Sequence, residues 1–422
     1  MKSNTAAIAA DFSCANQHAL ATILDASQTQ SIIAARDIFD ISGTKLWARD
    51  LPVSQALQRK LLDRQLREPL ESCLKAADGV TAHTLVEAVE RLLKQPTPLT
   101  ALLHAHADTL LREAAKLPVH PVAQLLLTAS RSSRPAAYEH AIQAMALNGA
   151  LMLAQGGKPT DLRIAMLSGL LHDLGEMYIA PEFGEADAER TVDVLTYQQL
   201  VVHPHVGQLL IAQLTDYPAE VARAIAEHHE RMDGSGYPHC LRGDQLSMHG
   251  RLLAVTESTL ATLSEPAAPL SRASIALRVV PGEYDLRWVG LITQVVRQQP
   301  TATAKRTAEE LQERLTKLAE VMHDASTATA TLRREATSAA LKDALTLTEH
   351  LLARLQGGLM TSGLWSIDPV AAPDAAEVEA VEGELRLRLR RIERAVRLRA
   401  GLLTDEDARR LDELCRQLTL RG

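Results

Sequence analysis

Between Pro118 and Glu265, five apolar stripes at helical spacing are each interrupted by an imidazole or a carboxylate. An ionised carboxylate in an apolar interior is costly unless it is paired or bound to a cation, and a buried imidazole needs its ring nitrogens satisfied. Such residues, repeated stripe after stripe, are tolerated when the helices converge and the polar groups meet. The segment is therefore expected to fold as a helical bundle around a polar centre.

The stripes differ in detail. Leu170-Leu171-His172-Asp173-Leu174-Gly175 sets an imidazole beside a carboxylate in a strongly apolar helix. The plain alternative to a cation there is an Asp bonded to a neighbouring backbone group or to His. His140 shares a face with Ala144, Leu147 and Leu151 and, taken alone, fits a satisfied core histidine. In Val201-Val202-His203-Pro204-His205-Val206-Gly207, Pro204 suits a first helical turn, and at most one of His203 and His205 need point inward. Val221, Ile225 and His228 lie at i, i+4 and i+7 of a helix that Gly234 can end, with His229 adjacent. Leu253, Glu257 and Leu260 repeat that spacing and place a carboxylate on the buried stripe of a helix over Gly250–Leu263.

Nitrogen and oxygen donors of this kind suit first-row divalent metals rather than a thiolate site. Two cations roughly 3.5–4 Å apart activate a shared water near neutral pH and clamp the oxygens of a phosphodiester. Metal-assisted phosphoester hydrolysis is the chemistry this donor set favours.

The rest of the composition narrows the setting. With 3% aromatic residues in 422 and abundant Ala and Leu, the chain is expected to be mostly α. The four cysteines, Cys14, Cys73, Cys240 and Cys415, form no CxxC pair, which argues against a disulfide framework and a thiolate zinc site and fits a reducing compartment. Acidic residues number 52 against 45 basic ones, a net charge of -7 with both signs interspersed, so there is no global footprint for nucleic acid or anionic lipid. The apolar stretch Ala141–Ala154 falls short of the ~20 residues of a membrane span and carries Gln143 and Asn148. The opening MKSNTAAIAADFSCANQ is a poor match to a signal peptide, and the expected location is cytoplasmic.

Three regions are expected. Residues 1–117 read as a small α+β domain, either regulatory or a structural cap. In it Ile38–Trp47 forms a hairpin around Ser42-Gly43-Thr44, and Ser54 caps a helix carrying Leu57, Leu61 and Leu62. The pattern breaks at Pro96 and Pro98, and a helix over Ala101–Lys116 follows. Residues 118–298 hold the histidine-rich bundle and, after Pro266, Pro269, Pro281 and Gly282, a helix over Asp285–Arg297. Residues 299–422 are helical apart from a loop over Gly357–Ala376 containing Trp365 and Pro369, and are expected to serve dimerisation or partner binding. Their basic run, Leu385-Arg386-Leu387-Arg388-Leu389-Arg390-Arg391, reads as a solvated helix face or a partner contact rather than a phosphate site.

His172-Asp173, followed by His228-His229-Glu230 and Asp233-Gly234-Ser235-Gly236-Tyr237-Pro238, resembles the HD-GYP domain, a helical branch of the HD metallophosphohydrolases. The resemblance covers roughly Pro118–Arg297. It implies a helical bundle around a two- or three-metal site, iron or manganese, that hydrolyses the bacterial second messenger cyclic di-GMP to pGpG or GMP. By position it implies metal ligands at His140, His172, Asp173, His203, His228 and His229, with Asp173 bridging two cations as the catalytic carboxylate and His205 left outside. The family's aspartate on the later helix falls at Glu257, longer by one methylene and still a hard oxygen ligand.

Three departures bear on activity. Glu176 stands where the family usually has a lysine that assists phosphate binding and leaving-group protonation, and a carboxylate there repels a phosphodiester unless protonated or metal-bound. Ala136 replaces the glutamate of trinuclear members, so two divalent cations are expected rather than three. Glu265-Pro266-Ala267-Ala268 replaces a stretch resembling Arg-Pro-Tyr-Arg, with Arg251 and Arg272 as candidate substitutes. Two readings stay open: a cyclic di-GMP phosphodiesterase, or a catalytically degenerate module that keeps its metals for stability and contacts a signalling partner through Gly236-Tyr237-Pro238.

Overall fold

The computed structural model describes residues 12–61, 63–179, 202–264, 268–299, 306–361, 375–400 and 403–418. Leu62, Glu265, Pro266, Ala267, Trp365 and Pro369 lie outside the described residues. The protein is mostly α, with two small two-stranded sheets among the described residues, both in the N-terminal region. No helix among the described residues is long and apolar enough to cross a membrane.

The chain divides into two compact units, the first comprising residues up to 179 together with 202–229 and 246–256. It opens with α1 (Gln17–Ala26), capped by the Asn16 side chain accepting from the His18 and Ala19 amides. Next come β1 (Ile32–Ala34), β2 (Ile38–Phe39), β3 (Lys45–Trp47), α2 (Gln55–Leu61), α3 (Leu70–Cys73), β4 (Leu74–Ala76) and α4 (Ala82–Lys94). Strands β2 and β3 make the expected hairpin, with Ile38 opposite Trp47, and α2 starts directly after Ser54 with Leu57 and Leu61 buried. The pairing of β1 with β4 joins segments some forty residues apart, so no local pattern announces it.

The helix expected over Ala101–Lys116 is broken into α5 (Thr100–Leu103), a 3-10 turn at His104–His106 and α6 (Ala107–Ala114). That turn contributes no buried side chain, so packing does not hold it in the α-helical ladder.

Helices α7 (Pro121–Ser133), α8 (Pro135–Ala154) and α9 (Pro159–Leu171) each begin on a proline, whose missing N–H costs nothing in a first turn. Gly169 lets α9 lie against α8, since a Cβ there would stand 2.6 Å from the Ala144 carbonyl. Asn148 is fully buried on α8 yet satisfied, donating to the Ala165 carbonyl at 3.0 Å and accepting from Thr256 Oγ1. The unit is completed by α10 (His203–Leu214), α11 (Ala219–Glu227) and the part of α12 (Met248–Leu263) up to Thr256.

The second unit holds residues 230–245 and the chain from Glu257 onward. Its helices are α13 (Leu270–Ala276), α14 (Leu286–Val296), α15 (Ala308–Glu335), α16 (Ala339–Thr361), α17 (Ala375–Ala400) and α18 (Asp405–Leu418). Asp285 caps α14 through the Arg287 amide, and Thr307 with Glu310 forms a capping box on α15. Leucines such as Leu318, Leu345, Leu352, Leu385, Leu389 and Leu411 form its core.

The basic run on α17 is solvated only in part: Arg390 is exposed and Arg386 and Arg391 are half-buried. Leu385 and Leu389 are buried, and Arg388, one residue before Leu389, is drawn in with them. Its guanidinium donates to Glu283 and, at 2.9 Å, to the Ala276 carbonyl, with Glu384 also 2.9 Å away. Helical periodicity carries the run through the core once per turn, where a buried guanidinium finds carboxylates to neutralise it.

Candidate metal centre

The His172-Asp173 pair does not continue an α-helix. Helix α9 ends at Leu171, and the pair opens a 3-10 turn over His172–Tyr178. Gly175 allows this turn to lie against α10, because a Cβ would stand 2.1 Å from the His203 carbonyl oxygen and 2.8 Å from the Gly207 amide. The tight turn presents His172 and Asp173 to α10.

His172 Nδ1 donates to the Gly169 carbonyl at 2.8 Å. A carbonyl only accepts, so Nδ1 carries the proton and Nε2 is left to face Asp173. The same arrangement recurs at His228. Helix α11 stops at Glu227, earlier than Gly234, and His228 Nδ1 donates to the Ile225 carbonyl at 2.6 Å. At both helix ends a terminal carbonyl fixes the tautomer that aims Nε2 at the centre.

Asp173 is flanked on both oxygens. Oδ2 lies 3.0 Å from His172 Nε2 and 3.6 Å from His140 Nε2, while Oδ1 lies 3.5 Å from both His203 Nε2 and His228 Nε2. His203 and His228 bring their Nε2 atoms within 3.1 Å, and the His229 ring centroid is 4.0 Å from that of His228. Ligand atoms of Asp173, His203, His228 and His229 all lie within 4.8 Å of one another. His172, His203 and His228 are fully buried and His229 nearly so, whereas His140 is partly open.

Burial, reinforced by the neighbouring His229, pushes the His228 imidazole down to about 3, so its Nε2 offers a lone pair. Burial by itself raises the Asp173 carboxyl, but the imidazoles packed around it, His172 first, then His203 and His228, outweigh burial and hold the group well below the usual carboxylate range. A carboxylate and neutral imidazoles are the protonation states that bind metal. Donors about 2.0–2.2 Å from a shared cation are about 3–3.5 Å apart at tetrahedral or octahedral angles, which the spacing around Asp173 reproduces. The donor set fits divalent cations on both sides of the carboxylate.

The fold thus brings together His140, His172, Asp173, His203, His228 and His229. His205 is half-buried on α10 and does not belong to the cluster around Asp173. Glu257 is buried on α12, one turn after the fully buried Leu253. Ala136 is exposed in the first turn of α8, and Arg251 and Arg272 are half-buried, on α12 in the first unit and on α13 in the second.

Two carboxylates have supporting roles that sequence patterning did not reveal. Glu227 is buried and accepts from the Ser247 amide at 2.8 Å, from Ser247 Oγ and from Arg223 Nε, tying the end of α11 to the start of α12. Glu230, fully buried, accepts from the His239 and Leu241 amides and so folds the 230–245 loop in the second unit. The available signal was a charged residue on either side of a histidine pair in an apolar stretch. A third element, Tyr178, ends the 3-10 turn by donating to the buried Glu71 on α3 at 2.8 Å.

Residues 97–279 match the family model of the HD domain. The match and the curated relatives support an HD-superfamily domain of the HD-GYP type over these residues. The chain is 28% identical over 208 residues to the cyclic di-GMP phosphodiesterase PA4108 of Pseudomonas aeruginosa, covering 49% of this chain and 48% of that protein. It is 23% identical over 231 residues to the 3'3'-cGAMP-specific phosphodiesterase 3 of Vibrio cholerae, covering 50% and 47%. The cyclic di-GMP phosphodiesterase response regulator RpfG of Xanthomonas campestris is 32% identical over 105 residues, covering 25% and 27%. The chain spans about half the length of the first and second of these curated relatives, and about a quarter of RpfG. The HD domain's match includes all of the residues gathered around Asp173.

Proposed function

We propose that the HD domain is a metal-dependent phosphodiesterase that opens cyclic dinucleotides, with cyclic di-GMP the first substrate to test and pGpG or GMP the products. The observation that carries this reading is the two-sided Asp173, with His140 and His172 at one oxygen and His203 and His228 at the other. His140, His172, Asp173, His203, His228, His229 and Glu257 are the proposed ligands, for two iron or manganese ions. Such ions supply Lewis acidity toward a phosphodiester and a nucleophile at neutral pH. The chain's own part is to orient the His172 and His228 imidazoles through helix-end carbonyls, to hold His228 neutral, and to keep Asp173 ionised beside them. Relatives that act on cyclic di-GMP and on 3'3'-cGAMP support the substrate class.

Glu176 favours a second reading, an HD-GYP module that binds its metals without turnover and serves as a signalling or interaction domain, alone or as a homodimer. One experiment separates the two. The chain is purified with iron or manganese, bound metal is quantified, and cyclic di-GMP turnover is followed beside Asp173→Ala. Turnover that disappears in the variant supports the enzyme. Stoichiometric metal without turnover supports the module, and a chain that takes up no metal sinks both.

A further inference from the structure

Arg134 sits at the junction of α7 and α8, the helix that carries His140. Its backbone is fixed on both sides, its amide donating to the Ser130 carbonyl at 2.7 Å and its own carbonyl accepting from Tyr138 at 3.2 Å. The side chain is half-buried. Nη1 donates to the Glu176 carbonyl at 3.1 Å, whereas Nη2 is buried with no hydrogen-bond partner among the described residues. A buried donor without an acceptor is costly, more so on a charged group, and an arginine remains charged throughout the ordinary pH range. Burial lowers the guanidinium pKa, and the negative charge of Glu176 opposes that shift.

The surroundings indicate what Nη2 awaits. Glu176 lies one 3-10 turn beyond Asp173, about 6 Å along the axis at ~2 Å per residue, and three-residue spacing puts both on one side of the turn. The guanidinium is therefore held at the segment that supplies the central carboxylate. An oxyanion matches its charge and its planar, two-pronged donor geometry.

We infer that Arg134 binds a non-bridging oxygen of the phosphodiester through Nη2, while Nη1 remains on the Glu176 carbonyl. The inference rests on the phosphodiesterase reading for the identity of the substrate. It also gives Glu176 a use: the acid steadies a cation that arrives from α8, so positive charge reaches the phosphate from position 134 although position 176 is acidic.

The test uses the full chain loaded with manganese and compares wild type, Arg134→Ala, Arg134→Gln and, as control, Arg131→Ala, whose side chain bonds Gln30. Bound metal, cyclic di-GMP turnover and calorimetric binding of inorganic phosphate are measured. Removing a charge-assisted contact should lower kcat/KM and phosphate affinity by about 10- to 100-fold at unchanged metal content. Guanidinium chloride, well below denaturing concentrations, should restore part of the loss in Arg134→Ala and nothing in wild type, and Arg131→Ala should match wild type.

Wild-type phosphate affinity in Arg134→Ala overturns the inference. If that variant folds poorly or loses metal, Arg134→Gln decides, because its amide can still donate to a carbonyl but carries no charge: full metal with undiminished phosphate affinity overturns the inference, and a 10-fold loss supports it. A wild type that binds phosphate but turns over nothing removes the phosphodiesterase reading, and the binding comparison still decides Arg134. A chain that binds no phosphate overturns the inference.

Discussion

The two units each bury a polar cluster, and the clusters solve the cost of burial in opposite ways. In the second unit Arg388 and Arg231 face Glu283 and Glu384, with the two guanidinium groups 5.8 and 5.0 Å from the centre of the Tyr284 ring. Guanidinium and carboxylate charges balance there from within the chain. In the first unit one carboxylate, Asp173, is surrounded by imidazoles, and His228, fully buried among them, is kept neutral by burial. Lone pairs facing one another are not compensated by protein alone and call for cations from solution. A buried cluster rich in carboxylate and guanidinium pairs therefore reads as architecture, and one rich in neutral nitrogen donors around an acid reads as a binding site.

The largest effect that sharpens this contrast should come from Asp173→Ala, which leaves four imidazoles with nothing to bridge them. We expect turnover to fall about a thousandfold or more, bound metal to be lost and the chain to become insensitive to chelators. Wild type, by contrast, should melt lower after chelation, since a cation present at about 100 times its Kd contributes about 2.7 kcal/mol. Calorimetric scans with and without chelator check both, and a wild type indifferent to chelation would break the comparison.

The counterpart in the second unit is Arg388→Ala. It strands Glu384 and leaves Glu283 with Arg231 alone, both carboxylates being less than 5% exposed, and breaking a buried pair from one side costs about 3–5 kcal/mol. The expected signature is a lower melting transition for that unit at unchanged metal stoichiometry. Burial raises the Glu283 carboxyl against the pull of Arg388 and Arg231, so removing a cation should raise it further. Equal metal loss in Arg388→Ala and Asp173→Ala would mean the two clusters are not separate in kind.

The inward positions were legible because chemistry and periodicity agree: His140, His172, His203, His228 and Glu257 each lie in an apolar stretch, and each is wholly or partly buried. What escaped was local geometry. Neither the 3-10 turn at His172–Tyr178 nor the early end of α11 follows from helical spacing, and the turn lies against a neighbour distant in sequence, the α10 backbone at Gly175. The basic run at 385–391 misled because charge composition hides the position, Arg388, that periodicity turns inward. The β2–β3 hairpin was readable from its turn, and the β1–β4 pairing was not, since nothing local encodes a partner forty residues away.

Gly175→Ala tests the geometric part directly. Its methyl group would meet the α10 backbone rather than a yielding side chain, and overpacking of this kind costs about 1–3 kcal/mol. The variant should keep every proposed ligand yet bind metal more weakly, with lower stability confined to the first unit. Metal affinity equal to wild type would show that the tight turn is not needed to present Asp173.

Acidification gives the smallest effect per step and separates the clusters by sign. His228 has a folded-state value of about 3 against about 6.5 when unfolded, so below pH 6.5 the unfolded chain binds the additional proton. In the metal-free protein this removes stability from the first unit as pH falls from about 6.5 toward 3, by up to about 1.4 kcal/mol per pH unit. Asp173, depressed in the folded state, holds its contribution above about 3.9 and loses it only at lower pH. Glu283 behaves oppositely: its folded-state value is raised, so protonation favours the folded second unit as pH falls through that value. Hydrogen exchange on the chelated protein between pH 7 and pH 5 should therefore show amides of α9 to α11 losing protection while those of α13 and α17 hold, after correction for the intrinsic exchange rate. Parallel loss in both units would show that the imidazoles around Asp173 are not buried in their neutral form.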